Sequence, residues 1–258
     1  MSDGGDIIRF RDLKKAFGPK VVFDGLTLSV RAGETLTVIG GSGTGKSVLL
    51  KSLIGLLHPD AGSIDFKGQE ITYYSEQQFL EVRRQVAYVF QGSALFDSLS
   101  VGENIAYPLR EHFPKMDRRE LAERVARTLK MVNLPGIEGM YPADLSGGMK
   151  KRVGLARAIT TEPEVILWDE PTTGLDPIST RIIEDLILRM KAELGCTSIV
   201  VTHDMPSAFY VSDRMALIAN RRIVQAGTVD ELQQSRNSEV RAFLDARLPR
   251  QESRGVGA

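Results

Sequence analysis

The sequence predicts an α/β fold: a mostly parallel sheet with helices on both faces, antiparallel strands at an edge, and a helical segment inserted into the core. Three observations carry this. The runs Thr35 to Ile39, Val86 to Phe90, Val165 to Trp168 and Ser198 to Thr202 are nearly continuous in apolar and β-branched residues, as strands buried on both faces require. The first run feeds a glycine-rich turn and then Ser47 to Leu57, where Leu49, Leu50, Leu53, Ile54 and Leu57 recur at helical spacing. Between Gln91 and about Thr161 the strand signals fade and helical periodicity replaces them.

The remaining elements follow in order. Ile7 to Phe10 alternates and Leu26 to Val30 is apolar, with Gly18 and Pro19 punctuating the connection, so both read as antiparallel edge strands. Asp117 with Glu120 has the form of an N-cap and its third-position partner, and Leu121, Val125, Leu129 and Val132 step along one helical face behind them. After a strand at Arg222 to Gln225, Thr228 with Glu231 makes a capping-box pattern, and Val240, Phe243, Leu244 and Leu248 recur at helical spacing before Pro249. The tail RQESRGVGA has the composition of a disordered end. The expected organisation is one domain: a core over 1–91 and 162–227, a helical subdomain over 92–161, and a helical extension with tail over 228–258.

Composition limits the partners. Lys plus Arg and Asp plus Glu both number 33 in 258 residues, so no whole-chain field points to nucleic acid or anionic lipid. The single cysteine, Cys196, excludes an intramolecular disulfide and reads as a small buried apolar side chain. The N-terminus lacks a basic start followed by an apolar core, and no stretch approaches the ~18 apolar residues that span a bilayer. The chain is therefore expected to be soluble and to reach a membrane only through a partner.

Gly40, Gly41, Ser42, Gly43, Thr44, Gly45, Lys46 and Ser47 match G-x-x-x-x-G-K-[ST], placed between the expected strand and helix as that pattern requires. Glycine lets successive N–H groups face inward, the helix N-terminus adds positive potential, and Lys46 brings a point charge to the outer phosphates of a nucleotide. Ser47 is left to hold Mg²⁺ through its hydroxyl. Val165 to Trp168 ends in Asp169 and Glu170, where a parallel sheet delivers side chains to a ligand crevice. Asp169 suits the Mg²⁺ shell, and Glu170 is placed to polarise a water for attack on the γ-phosphate.

Leu145-Ser146-Gly147-Gly148-Met149, followed by KKRVGLARAI, resembles the signature motif of ATP-binding-cassette ATPases, and it precedes the acid pair by the expected interval. Ser146 and two glycines opening a helix make a second anion site. The resemblance covers nearly the whole chain and implies further roles. Phe17 resembles the aromatic that stacks on adenine. Gln91 resembles the glutamine that contacts Mg²⁺ and water and senses the partner. Gly174-Leu175-Asp176-Pro177 resembles the loop linking the two subunits' sites, with Asp176 at the shared nucleotide. His203 resembles the histidine that contacts the γ-phosphate and Glu170. The family also implies a homodimer with each ATP between Lys46 of one copy and Ser146 of the other, and a groove at Leu95, Phe96, Leu99 and Val101 that receives a permease helix. His58 and His112 match no motif and read as surface residues, and Lys150-Lys151-Arg152 reads as a solvated helix face.

Within the family, GGSGTGKSVLLK, the stretch from Phe90 to His112, Met149 in the signature and the ending EVRAFLDARLPR resemble the ATPase subunits of Mla-type phospholipid transporters. That resemblance implies a permease, an MCE-domain protein and a small STAS-type accessory subunit as partners, no nucleic acid, a place at the cytoplasmic face of the bacterial inner membrane, and glycerophospholipid as cargo. A GTPase is disfavoured because no N-K-x-D occurs, and ribosome or DNA-repair cassettes because the motifs occur once and no long coiled insertion is present. A cell-division-type cassette, which binds membrane partners without moving a solute, stays open.

Overall fold

A computed structural model describes residues 5–247. Strands β1 (Asp6–Phe17) and β2 (Lys20–Arg31) open the chain, followed by β3 (Thr35–Gly40), α1 (Lys46–Leu53), β4 (Ala61–Phe66), β5 (Gln69–Glu70), α2 (Glu76–Gln85) and β6 (Val86–Val89). Helices α3 (Val101–His112), α4 (Arg118–Met131) and α5 (Gly147–Ile159) come next. The order closes with β7 (Val165–Asp169), α6 (Pro177–Leu194), β8 (Thr197–Thr202), α7 (Met205–Val211), β9 (Arg214–Ala219), β10 (Arg222–Thr228), α8 (Val229–Gln233) and α9 (Ser238–Arg247).

Two sheets form. The larger has the order β10-β9-β3-β8-β7-β6, with every neighbouring pair parallel except β9 and β10. The smaller, β2-β1-β4-β5, is antiparallel throughout. This corrects the expected position of the first two strands: they belong to a sheet of their own, and β10 supplies the antiparallel edge of the main sheet. The physical reason lies in β4, whose pairing with β1 closes a second apolar layer against α1, a partner that no local signal announces.

Side-chain alternation across the main sheet builds the core. Val165 and Leu167 of β7 and Ile199 and Val201 of β8 point into the cluster shared with α1 and the smaller sheet, whereas Ile166, Trp168 and Val200 point to the opposite face against α5 and α6. Buried Trp168 donates its indole N–H to Ser198 Oγ at 3.1 Å, which satisfies the one polar atom that this layer encloses on it. Helices α3, α4 and α5 pack on one another through Val101, Ile105, Val125, Leu129 and Val153 within the same cluster. Asp117 caps α4 by accepting the N–H groups of Arg119 and Glu120, and the capping box of Thr228 and Glu231 opens α8. Val240 and Leu244 of α9 bury against β9 with Met205 and Leu217. Leu248 and the tail lie outside the described residues. Cys196 is buried, its thiol donates to the Pro163 carbonyl, and burial pushes it up to about 11.

Lys150-Lys151-Arg152 departs from the solvated face expected of it. All three are half-buried; Lys151 Nζ donates to the carbonyls of Pro171 (3.0 Å) and Thr173 (2.5 Å), and Arg152 donates to the Asn133 carbonyl (3.1 Å). Turn and helix-end carbonyls without partners of their own recruit these cations.

Candidate functional site

The parallel register brings four strand ends to one edge. Ile39 lies beside Thr202, Asp169 beside Val201 and Val89 beside Trp168, so the residues that follow β3, β8, β7 and β6 emerge together. They surround a cleft of about 510 Å³ lined by Ser42, Gly43, Gly45, Lys46, Ser47, Phe17, Gln91, Glu170 and His203, whereas Gly40, Gly41 and Thr44 shape the turn without lining it.

The turn itself is shaped by glycine. Gly45 sits at φ +100°, and a Cβ there would overlap Val22 and Phe23, so only glycine brings the loop down onto the smaller sheet and starts α1. Thr44 Oγ1 donates to the Gly41 carbonyl at 2.9 Å and tightens the same loop, and a Cβ on Gly40 would meet the Ile218 carbonyl at 2.7 Å. No side chain caps the first turn of α1, so its N–H groups face the cleft as a concentrated positive end.

Lys46 is buried, and Nζ donates to the carbonyls of Gly40 and Gly41, each at 3.1 Å, and stands 3.8 Å from Glu170 Oε1. Burial lowers the ammonium from its ordinary value, Glu170 and Asp169 oppose that shift, and Arg247 adds to it. Ser47 Oγ donates to Asp169 Oδ1 at 2.7 Å. Hydroxyl and carboxylate are oxygen donors, the chemistry that Mg²⁺ takes, and Gln91 lines the same cleft. Glu170 follows at φ +51°, a left-handed conformation that costs a non-glycine residue about 1 kcal/mol or more. Its N–H donates to the Val201 carbonyl at 2.9 Å, its Oε2 accepts from Thr173 Oγ1 at 3.1 Å, and His203 Nδ1 lies 2.8 Å from the same oxygen. Strain of this kind at a strand end points to a demand on where the side chain must stand.

Phe17 is 45% exposed, so it is not a core residue; its ring lines the cleft, with Lys15 Nζ 5.4 Å from the ring centre. Ser146, Gly147, Gly148 and Asp176 are not among the cleft's lining residues. Ser146 caps α5 by accepting the Met149 N–H at 3.2 Å. Gly148 lies against α6, where an added Cβ would meet Ser179 Oγ at 2.8 Å. The Asp176 carboxylate caps α6, accepting from the N–H groups of Ile178 and Ser179 at 3.0 and 2.9 Å. The Ser179 hydroxyl, followed by these backbone N–H groups, holds its carboxyl below the usual range.

Several cleft residues escaped sequence reasoning. Lys20 and Val22 reach it from the smaller sheet, and Arg247 reaches it from the last turn of α9, with Nη1 3.5 Å from the His203 carbonyl. Tyr88 does not line the cleft but stands behind it, donating to Asp169 Oδ2 at 2.7 Å. Each is brought in by tertiary contact, across 23 positions for Lys20 and Val22 and across 44 and 81 for Arg247 and Tyr88, and nothing local marks them.

The comparisons agree with this geometry. The family described as "ABC transporter" matches residues 23–173. The probable ribonucleotide transport ATP-binding protein mkl of Mycobacterium leprae is 41% identical over 243 residues, covering 94% of this chain and 70% of that protein. The intermembrane phospholipid transport system ATP-binding protein MlaF of Haemophilus influenzae is 39% identical, covering 93% of this chain and 90% of that protein. Among solved structures, a dimeric ATP-binding cassette in a post-hydrolysis state bound to ADP and Pi superposes with a TM-score of 0.79 at 28% identity, covering 86% of this chain and 98% of that one. The cbiO1 protein of Clostridium perfringens gives 0.81 at 30% identity, covering 95% and 96%. With its phosphate turn, acid pair and strand-end histidine on one sheet edge and a family match over more than half its length, the chain belongs to the ABC transporter family, as one of its ATP-hydrolysing cassettes.

Proposed function

We propose that the chain hydrolyses MgATP as the homodimeric ATPase subunit of an intermembrane phospholipid transporter, held at the cytoplasmic face of a bacterial inner membrane by its permease. The observation that supports the chemistry is the convergence of Lys46, Glu170 and His203 on the cleft with Ser47 and Asp169 at its base. Glu170 accepts a proton from a water as that water's oxygen attacks the γ-phosphorus, and the bond from phosphorus to the bridging oxygen breaks to release ADP. Lys46 and the N–H groups opening α1 offset the phosphate charge, and an arriving phosphate competes with Glu170 for the ammonium. His203 holds Glu170 in place and reaches the γ-phosphate. Bound Mg²⁺, held by Ser47, Asp169 and Gln91, supplies charge neutralisation on the phosphate oxygens. Phe17 stacks on the adenine. Ser146, Gly147, Gly148 and Asp176, which do not line the cleft of their own chain, serve the cleft of the second copy.

The cargo rests on relatives. The H. influenzae relative is named for phospholipid transport and the mycobacterial one for ribonucleotide transport, so membership of the family does not select between them. The lipid reading is favoured by nearly complete mutual coverage with MlaF. It brings with it a permease, an MCE-domain protein and a STAS-type accessory subunit as partners, and no nucleic acid.

A permease helix has a place to dock. Phe90, Phe96 and Tyr107 are 39%, 44% and 44% exposed and line a groove of about 340 Å³ with Pro108, His112 and Arg157. An amphipathic helix in such a groove is a recurrent mode of recognition. Of the four apolar residues first assigned here only Phe96 lines this groove: Val101 is fully buried, Leu95 packs on the core, and Leu99 is half-buried beside it. The test is Phe96→Ala in the full chain produced in its native host. Loss of a co-purifying permease and of lipid-stimulated ATPase activity, with ATP binding by the isolated subunit retained, supports the reading. Co-purification with a membrane partner but no MCE protein and no lipid stimulation of the wild type favours the cell-division-type alternative.

A further inference from the structure

Asp169 is 7% exposed, and each of its carboxylate oxygens accepts one hydrogen bond from a different element. Ser47 Oγ, in the first turn of α1, donates to Oδ1, and Tyr88 Oη, from β6, donates to Oδ2, both at 2.7 Å. The carboxylate torsion of aspartate is broad, so a group held at one oxygen rotates and a group held at both does not. Tyr88 reaches this position because the parallel register sets it beside Leu167, two residues before Asp169 on the neighbouring strand. Its ring lies 4.3 Å from that of Phe90, centre to centre, and both form part of the groove wall. One side chain therefore separates the groove from the carboxylate. Phenylalanine would fill the same space; what it lacks is the hydroxyl.

We propose that Tyr88 is a positioning residue that locks the plane of the Asp169 carboxylate, so that the affinity of the ATP-loaded site for its divalent cation depends on the Tyr88 hydroxyl. The inference rests on the reading of Asp169 as a Mg²⁺ carboxylate. Groups that orient a metal ligand from behind typically set affinity by 10-fold or more, and about tenfold is expected here.

The experiment compares the full-length wild type, Tyr88→Phe and Asp169→Asn by the dissociation constant of a fluorescent ATP analogue measured in EDTA and in saturating Mg²⁺. A steady-state titration of ATPase activity against free Mg²⁺ accompanies it. Tyr88→Phe is expected to match wild type in EDTA, to lose about tenfold of the Mg²⁺-dependent gain in affinity, and to need about tenfold more Mg²⁺ for half-maximal turnover with kcat at saturation retained. A lower melting temperature with an unchanged Mg²⁺ response would mean that Tyr88 only packs, and would overturn the proposal. If Asp169→Asn loses the Mg²⁺ response and Tyr88→Phe keeps it, the proposal fails while the metal reading stands. If Asp169→Asn keeps it, the metal reading fails first and takes this inference with it.

Discussion

Helices α1 and α6 both begin in loops that follow the C-terminal edge of the main sheet, yet their first turns are completed in opposite ways. α1 starts at Gly45, with no side chain accepting its N–H groups, and these open onto the cleft. α6 starts at Asp176, whose carboxylate already takes two of them. A helix start carrying its own carboxylate presents a neutralised end to a phosphate, whereas one carrying only glycine presents the positive end of the helix dipole. α5 stands between the two: Ser146 caps it with a neutral hydroxyl and Gly147 leaves room beside it. Three helix starts that look alike as turn chemistry therefore differ in what they can bind, and the difference lies in whether the cap is absent, neutral or charged.

Three experiments test this contrast. The largest effect is expected from Glu170→Gln, which keeps the cleft's shape and its contact with His203 but removes the proton acceptor. Turnover should fall by about 10²-fold or more while ATP binding persists, so that an ATP-bound dimer accumulates on size exclusion. Unchanged turnover in the assembled complex removes Glu170 from the role of base.

Next is the division of labour between the starts of α1 and α5. Lys46→Ala and Ser146→Arg should each abolish activity as homodimers. Mixed in equal amounts, half of the dimers pair one of each and hold one intact and one doubly damaged cleft, so about a quarter of wild-type activity should return. No recovery on mixing, with mixed dimers demonstrated by differential tagging, would show that the two helix starts do not share a nucleotide.

The smallest effect belongs to Asp176→Ala. If the carboxylate only caps α6, the protein should melt slightly earlier, and nucleotide affinity in the isolated subunit should not move. Asp176→Asn, which retains an accepting oxygen, should restore the melting temperature. A marked loss of ATP affinity in the isolated subunit would put Asp176 at the nucleotide of its own chain and would undo the contrast between α1 and α6.

What the sequence determined by itself are the features whose physics is local. The turn from Gly40 to Ser47 is readable because glycine, lysine and serine at that spacing do their work within eight positions, between a strand and a helix that announce themselves by periodicity. The caps at Asp117 and Thr228 and the acids ending β7 are legible for the same reason. Tertiary structure decided everything that depends on which strand lies beside which. It placed β1 and β2 in a separate sheet through pairing with β4, buried Val101, and drew Lys151 onto the carbonyls of Pro171 and Thr173. It also set Tyr88 against Asp169 and carried Arg247 into the cleft from the last helix. A hydrogen bond between residues 81 positions apart leaves no periodic trace in the chain, because the distance that matters is the ~4.8 Å between neighbouring strands.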